Sequence, residues 1–408
     1  DASTVFEDVQ KDNAPVKPDT VHEATGFFSQ PNPDNPDVSL YTNGDWTSVV
    51  TSCGNGFSIY TGADITMRSE DLRNTPSGVF AFFCKGDSAQ SFTYAPGYEN
   101  PEKFSGEFSS TYARFVCTED ETELTQEVFV HKSVPGEIRS YTVKNSGKHR
   151  LKGEIVIYFE PVLASFGEVR SHPAFAKLFT TAHYREDSGM LVFRKRSRES
   201  GRPLFLAAGL LGQEKFTFET SREKVLKRPL GNKSLPPDPE KFTSSCAIGD
   251  VCCAISVPVE VPSHGKVTVK AAMCAAEEEQ EAKKFFTALR KENASHEKGA
   301  ASPFVSGSIE GVLALQALPH LFWNTGYSKE YEKAAQENTL KRSEMWQTGI
   351  SGDYPIIYIE LFGSDEDRLL PYLKICKSLY TCSLFVEIAA VCICLLYTSP
   401  SPRDISGS

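Results

Sequence analysis

The feature that most constrains this chain is a run of short apolar segments between residues 38 and 276, each ended by a Gly, Asn or Ser turn. "VSLYTNGDWTSVV" sets Asn43-Gly44 between two apolar stretches, a strong hairpin signal because both residues accept the backbone a tight turn demands. Cys53-Gly54-Asn55-Gly56 then turns into "FSIYTG". In "GEFSSTYARFV", Phe108, Ser110 and Tyr112 alternate against the other face, "TEDET" turns, and "LTQEVFVHK" returns. That spacing predicts one long hairpin over 106–132. The same plan recurs three times. "EIRSYTVK" and "LKGEIVIYFEPVL" flank Asn145-Ser146-Gly147, "FTTAHYRE" and "MLVFRKR" flank "DSG", and "CCAISVPVEV" and "KVTVKAAMCAA" flank "PSHG". So many short antiparallel strands exceed one immunoglobulin-sized unit, and predict a mainly β fold of two large sheets stacked face to face.

The flanks read differently. Residues 1–37 are rich in Asp, Asn and Pro and predict an extended entry segment. After Ala276 the period changes: Ala282, Phe285, Phe286 and Leu289 fall on one helix face, with acidic residues leading and basic ones following. Ser308 is placed to cap a second helix carrying Ile309, Val312, Leu313 and Leu318, and "SKEYEKAAQENTLKR" predicts a third, polar one. Residues 277–392 are thus expected to be linker helices and the incomplete start of an α-helical region. "LFVEIAAVCICLLYT" is apolar but contains Glu387 and is shorter than the roughly 20 residues of a membrane span. Residues 393–408 are expected to be a non-native tail, because 394–404, "CLLYTSPSPRD", look like a translated sequencing adapter. Lacking a starting Met and a basic-then-apolar leader, the chain reads as an internal fragment.

Composition excludes several functions. A net charge of −10 disfavours a nucleic-acid surface. Short basic runs such as Arg194-Lys195-Arg196 read as solvated strand ends. Eleven cysteines, odd in number and without repeated spacing, predict reduced thiols in a cytoplasm. Cys246, Cys252 and Cys253 lack a C-x-x-C partner, so buried apolar thiols explain them better than zinc. No histidine pair has metal-box spacing, no phosphate-binding glycine loop occurs, and no cofactor is expected. The carboxylate clusters at 119–121, 277–279 and 365–367 lie in turns and at helix starts, where adjacent acids cannot oppose each other across a sugar. Trp46, Phe57, Tyr60, Trp323 and Trp346 could stack on sugar rings or fill cores. Asp353, in "QTGISGDYPI", could be a catalytic acid, a sugar ligand or a turn-former. With no opposed partner in view, backbone bonding within the turn accounts for it best.

Several stretches together resemble glycoside hydrolase family 94, which contains cellobiose and chitobiose phosphorylases. The resembling features near the N-terminus are the Asn43-Gly44 hairpin, Gly54-x-Gly56-Phe57-Ser58, Arg68 with Glu70-Asp71, and Gly78-x-Phe80. "HPAF-KLF" at 172–179 and "MWQTGISGDYPIIYIEL" are similar to the branch of cyclic β-1,2-glucan synthases and β-1,2-oligoglucan phosphorylases. The resemblance covers roughly residues 38–380. It implies a β-supersandwich over 38–276, belonging to an inverting glycoside phosphorylase or a glucan-building relative. It also implies inorganic phosphate as co-substrate, a β-glucan partner, and a homodimer of the full-length protein. The family's general acid lies in an (α/α)6 barrel after the sandwich, so no catalytic residue is carried over. Asp353, Trp346, Trp46 and Tyr60 are the candidate substrate contacts. The alternative is a stand-alone carbohydrate-binding or scaffold sandwich with no activity.

Overall fold

The computed structural model describes residues 26–393, except 76, 197–202, 213–214, 227–234, 294, 305–307, 324, 326–327 and 363–365. Most of the entry segment and the 394–404 stretch lie outside the described residues. The fold is mainly β, as expected. A nine-stranded antiparallel sheet runs, edge to edge, Gly26–Ser29, Phe104–Phe108, Ala113–Glu119, Thr122–Val130, Gly136–Asn145, Gly265–Ala276, Pro203–Leu210, Met190–Arg196 and Thr181–Arg185. A second sheet orders Thr217–Ser221, Val251–Val261, Leu151–Phe159, Val79–Lys85 and Ser88–Ser91. A third orders Pro161–Ser165, Ala63–Thr66, Gly56–Tyr60, Trp46–Thr51 and Val38–Thr42. The main core joins all three: Phe115, Tyr141 and Phe193 of the large sheet meet Phe83 and Ile157 of the second and Tyr41, Trp46 and Ile65 of the third. One chain segment serves both smaller sheets, because Leu151–Phe159 continues through Glu160 into Pro161–Ser165.

The large sheet is covered on both faces. Helix Glu279–Glu292 lays Ala282, Phe286 and Leu289 onto Ile138, Met190, Val192 and Phe205 on its outer side. A fully buried Phe such as Phe286 contributes roughly 1.5–3 kcal/mol of hydrophobic stabilisation. The third sheet's outer side, with Val38, Leu40, Val49 and Phe57, is covered by helices Ile309–Phe322 and Leu370–Thr381 through Ala314, Leu318, Phe322, Ile375 and Leu379. Ser308 caps the first of these as expected, accepting from Gly311 N at 2.9 Å.

Several sequence readings need correction. Gly26–Ser29, inside the expected entry segment, is an edge strand paired to Phe104–Phe108. "GEFSSTYARFV" is not one strand: it breaks at 109–112 into two antiparallel strands. Of the four repeated hairpin readings, those at 113–130 and 181–196 hold. The other two do not. Gly136–Asn145 lies in the large sheet while Leu151–Phe159 lies in the second. Val251–Val261 and Gly265–Ala276 divide in the same way. Both turns are corners that carry the chain between layers. The Asn145 side chain joins them, donating to His149 O at 2.7 Å and Pro262 O at 3.1 Å. Lys195 is not solvated: it is 1% exposed, with its Nζ 3.3 Å from Glu168. Finally, Ile356–Phe362 and Glu387–Ile393 pair in parallel across helix Leu370–Thr381, a β-α-β unit where an α-helical region is expected.

Candidate functional site

The GISGD stretch is built as a closed turn. Gly349 and Gly352 take positive φ of 81° and 65°, a region that favours glycine. The Ser351 hydroxyl donates to Glu387, Gly352 N donates to Glu387 Oε2 at 2.9 Å, and Asp353 N donates to Ser351 Oγ at 3.1 Å. Glu387 is the first residue of the last described strand, so the turn is tied to the β-α-β unit. Asp353 pairs with Arg342 at 3.1 Å, both well exposed, an interaction worth at most about 1 kcal/mol. Trp346 donates its indole N–H to Ser351 O at 3.2 Å and leaves its ring 59% exposed. Of the four candidate contacts, Trp346 and Asp353 therefore share one accessible turn.

Trp46 and Tyr60 do not join them. Trp46 is fully buried, so no glycan reaches it. Its Nε1 donates to Glu137 Oε2 at 3.3 Å, where Ser58 Oγ donates at 2.5 Å. Arg139 Nε holds Glu137 Oε1 at 2.7 Å. This buried cluster links the large sheet to the third, and a 20 Å³ cavity beside Arg139 and Tyr141 suits one water molecule and no sugar. Tyr60 pairs with Trp46 in the ladder and is half-buried against the main core; burial, with Glu281, Asp45 and Glu277 nearby, pushes its phenol up to about 12. Trp323 is likewise core, its ring against Phe57.

The other signature residues also make structural ties. Gly54 has φ +92°, and a Cβ there would sit 2.3 Å from Thr93 Cβ. The Arg68 guanidinium stacks on Phe166, Phe57 and Phe322 at 4.1, 4.4 and 4.9 Å, joining a strand to two helices. Asp64, on the strand just before it, is buried, and burial pushes its carboxyl up to about 6 against the pull of Arg68. Within "HPAF-KLF", Lys177 is buried and pairs with Glu160, which also accepts from Arg222 Nε at 3.0 Å and Tyr158 OH at 2.9 Å. Burial pushes the Glu160 carboxyl up, but Lys177 and Arg222 outweigh it and hold it below the usual carboxylate range. Phe175, Leu178 and Phe179 of the same motif are about half exposed.

A family model described as "Glycosyl hydrolase 94, supersandwich domain" matches residues 24–292. The chain belongs to glycoside hydrolase family 94. The family 94 match runs to residue 292 and so takes in the helix that covers the large sheet. The cyclic β-(1,2)-glucan synthase NdvB of Rhizobium meliloti (strain 1021) is 24% identical over 345 residues, covering 79% of this chain. The chain spans 12% of that relative's length. Among solved structures, a bacterial glucoamylase complexed with acarbose aligns over 68% of this chain and 36% of its own, with TM-score 0.40 and 10% identity. A provisionally assigned kojibiose phosphorylase from the human microbiome aligns over 67% and 36%, with TM-score 0.41 and 8% identity. Among the described residues, no group of three or more His, Cys, Asp or Glu could hold a metal ion, and no helix is long and apolar enough to cross a membrane.

The sequence reading missed Glu137, Arg139 and Glu160. Glu137, Arg139 and Tyr141 alternate along "GEIRSYTVK" as a solvent face would. They point instead into the sandwich, where the pleat aims them at the smaller sheets.

Proposed function

We propose that this chain is the non-catalytic sandwich part of a carbohydrate-active enzyme that processes β-linked glucans, either an inverting phosphorylase or a cyclic β-1,2-glucan synthase relative. The observation that carries this reading is the family 94 match over residues 24–292, together with the likeness to a β-(1,2)-glucan synthase over most of the chain. It is supported by the use of the signature residues Gly54, Ser58, Arg68 and Lys177 in packing and ion pairs. In such an enzyme, inorganic phosphate attacks the anomeric carbon while one carboxylic acid protonates the leaving oxygen. The sandwich would support the catalytic part, and the turn that follows it would offer Trp346 and Asp353 to the glucan, in a cytoplasmic homodimer. The test is phosphorolysis: the 408-residue chain, given phosphate and β-1,2-linked gluco-oligosaccharides, is expected to release no glucose 1-phosphate. Within a longer chain that also carries a catalytic barrel, it is expected to support phosphorolysis or glucan synthesis. Release by the chain alone would overturn the reading.

A scaffold role is favoured by a second observation. Phe175, Leu178 and Phe179 are more than half exposed, and Ile248, beside Leu178 through Gly249, is 81% exposed. Such a patch suits packing against another domain. Self-association that is lost in Phe175→Ser/Leu178→Ser would support this role, and a monodisperse monomer would count against it.

A further inference from the structure

The turn at 131–136 holds an imidazole in a setting that only its neutral form can occupy. His131 is 5% exposed and directly follows strand Thr122–Val130. Its Nδ1 accepts from Ser133 N at 3.2 Å and from Val134 N at 3.1 Å. A backbone N–H can only donate, so Nδ1 carries no proton. The ring's one proton therefore sits on Nε2, 2.7 Å from Glu292 Oε2 at the end of helix Glu279–Glu292. The backbone of the same turn is hooked from the third sheet. Asn43 Nδ2 donates to His131 O and to Val134 O, both at 2.8 Å, while Asn43 Oδ1 accepts from Trp46 N at 2.8 Å. Asn43 thus ties the hairpin of Val38–Thr42 and Trp46–Thr51 to the large sheet, through two carbonyls whose spacing the imidazole sets.

We propose that His131 is a pH-operated clasp on this hook, closed when the ring is neutral and opened when it is protonated. A proton on Nδ1 would point at two N–H groups, so both bonds must break before it can bind. Nε2–H keeps its carboxylate and gains a charge to pair with it, so the ring stays on the helix while the turn lets go. Opening the turn moves Val134 O away from His131 O, and Asn43 keeps one acceptor in place of two. The charges facing the ring are Glu292 and, bonded to it, Lys298 of the turn His296–Lys298. Lys132 on the strand side and Asp45 on the hairpin side are exposed. Lys298 and His131 hold the Glu292 carboxyl below its ordinary range, so Glu292 stays charged while the imidazole titrates. The closed turn binds no proton at Nδ1 and the open turn does. The clasp is therefore complete at neutral pH and is lost as pH falls through the imidazole range. This inference is independent of the carbohydrate reading above.

Hydrogen exchange of the 408-residue chain, corrected for its intrinsic pH dependence, would be compared at about pH 7.5 and about pH 5. Residues 42–46 and 131–136 are expected to exchange roughly tenfold faster at the acid end, the scale of one to two neutral hydrogen bonds. His131→Asn is the control. An amide oxygen at this position can accept from the N–H groups two and three residues on, as Nδ1 does, and takes up no proton. In that variant the change should stay under about twofold. Nitrogen-15 NMR of the parent's histidines gives a readout that needs no variant, and should place the His131 proton on Nε2 at about pH 7.5. The proposal is overturned by a proton on Nδ1 at that pH, by exchange in the parent that does not rise in acid, or by an equal rise in His131→Asn.

Discussion

Replacing Glu160 by Gln tests whether charge holds the "HPAF-KLF" helix to the sandwich. Glu160 is 2% exposed and faces two cations, Lys177 and Arg222, with Tyr158 donating from the same side. Gln keeps the shape and removes the charge, leaving both cations against a neutral amide. Removing one partner of a buried ion pair costs roughly 3–5 kcal/mol, and two stranded cations argue for the upper half of that range. A sandwich spanning residues 24–292 unfolds with an entropy near 0.6 kcal/mol/K at about 2.1 cal/mol/K per residue. The melting temperature should therefore fall by roughly 7–9 °C. Tryptophan fluorescence suits the assay, because Trp46 and Trp323 are buried and report the loss of both main cores. The pH dependence has a definite sign. The folded carboxyl titrates below its unfolded range, so its contribution is complete above about pH 5 and is lost as pH falls through the folded value. The gap between parent and variant should stay constant from pH 6 to 8 and close in acid. Glu160→Leu combined with Lys177→Met and Arg222→Met should recover most of the loss, since an apolar triad needs no countercharge. A variant melting within about 1 °C of the parent, or a gap that widens in acid, would refute the reasoning.

Two further predictions concern the third sheet. Asp64→Asn should stabilise the protein at neutral pH: its carboxyl is raised to about 6, so the folded state holds its proton more tightly than the unfolded state, and stability falls as pH rises from about 4 through 6. At about 1.4 kcal/mol per pH unit the gain is at most roughly 3 kcal/mol, and urea melts at pH 8 that show no gain would contradict it. Gly54→Ala should cost roughly 2–4 kcal/mol, because φ +92° disfavours a side chain and the new Cβ meets Thr93. Combining it with Thr93→Gly should remove the clash and restore only part of the stability, and full restoration would argue against backbone strain.

Legibility in the sequence followed the range of the interaction. Strands, turns and the helix cap at Ser308 depend on residues a few positions apart, and alternation and capping chemistry reveal them directly. The Gly349–Asp353 turn is local in the same sense, although its tether to Glu387 is not. Hairpin and corner look alike in sequence, because both are two apolar strands around a Gly-rich turn. What divides Gly136–Asn145 from Leu151–Phe159 is pairing with strands far along the chain, at Gly265–Ala276 and Val251–Val261. The parallel pair at 356–362 and 387–393 was hidden for the same reason, its partners being separated by a helix.

The candidate site divides along the same line. Residue type and local spacing mark Trp346 and Asp353 as neighbours in a turn, and family motifs identify the sandwich. Burial decided the rest. Trp46 and Tyr60 stand in one ladder, yet Trp46 lies wholly within the core while Tyr60 reaches its edge. Glu137, Arg139 and Lys195 read along the chain as exposed charges, but all three lie on the face turned toward the smaller sheets, in phase with Tyr141, Leu191 and Phe193, so their charges had to be paired inside. Most strands, their turns, the helix caps and the family motifs could be read from the chain, because they rest on short-range backbone preference and side-chain pattern; the edge strand Gly26–Ser29 and the break at 109–112 could not. Which strands are neighbours and which charges are buried came only with the folded chain, because each depends on contacts between segments far apart in the sequence.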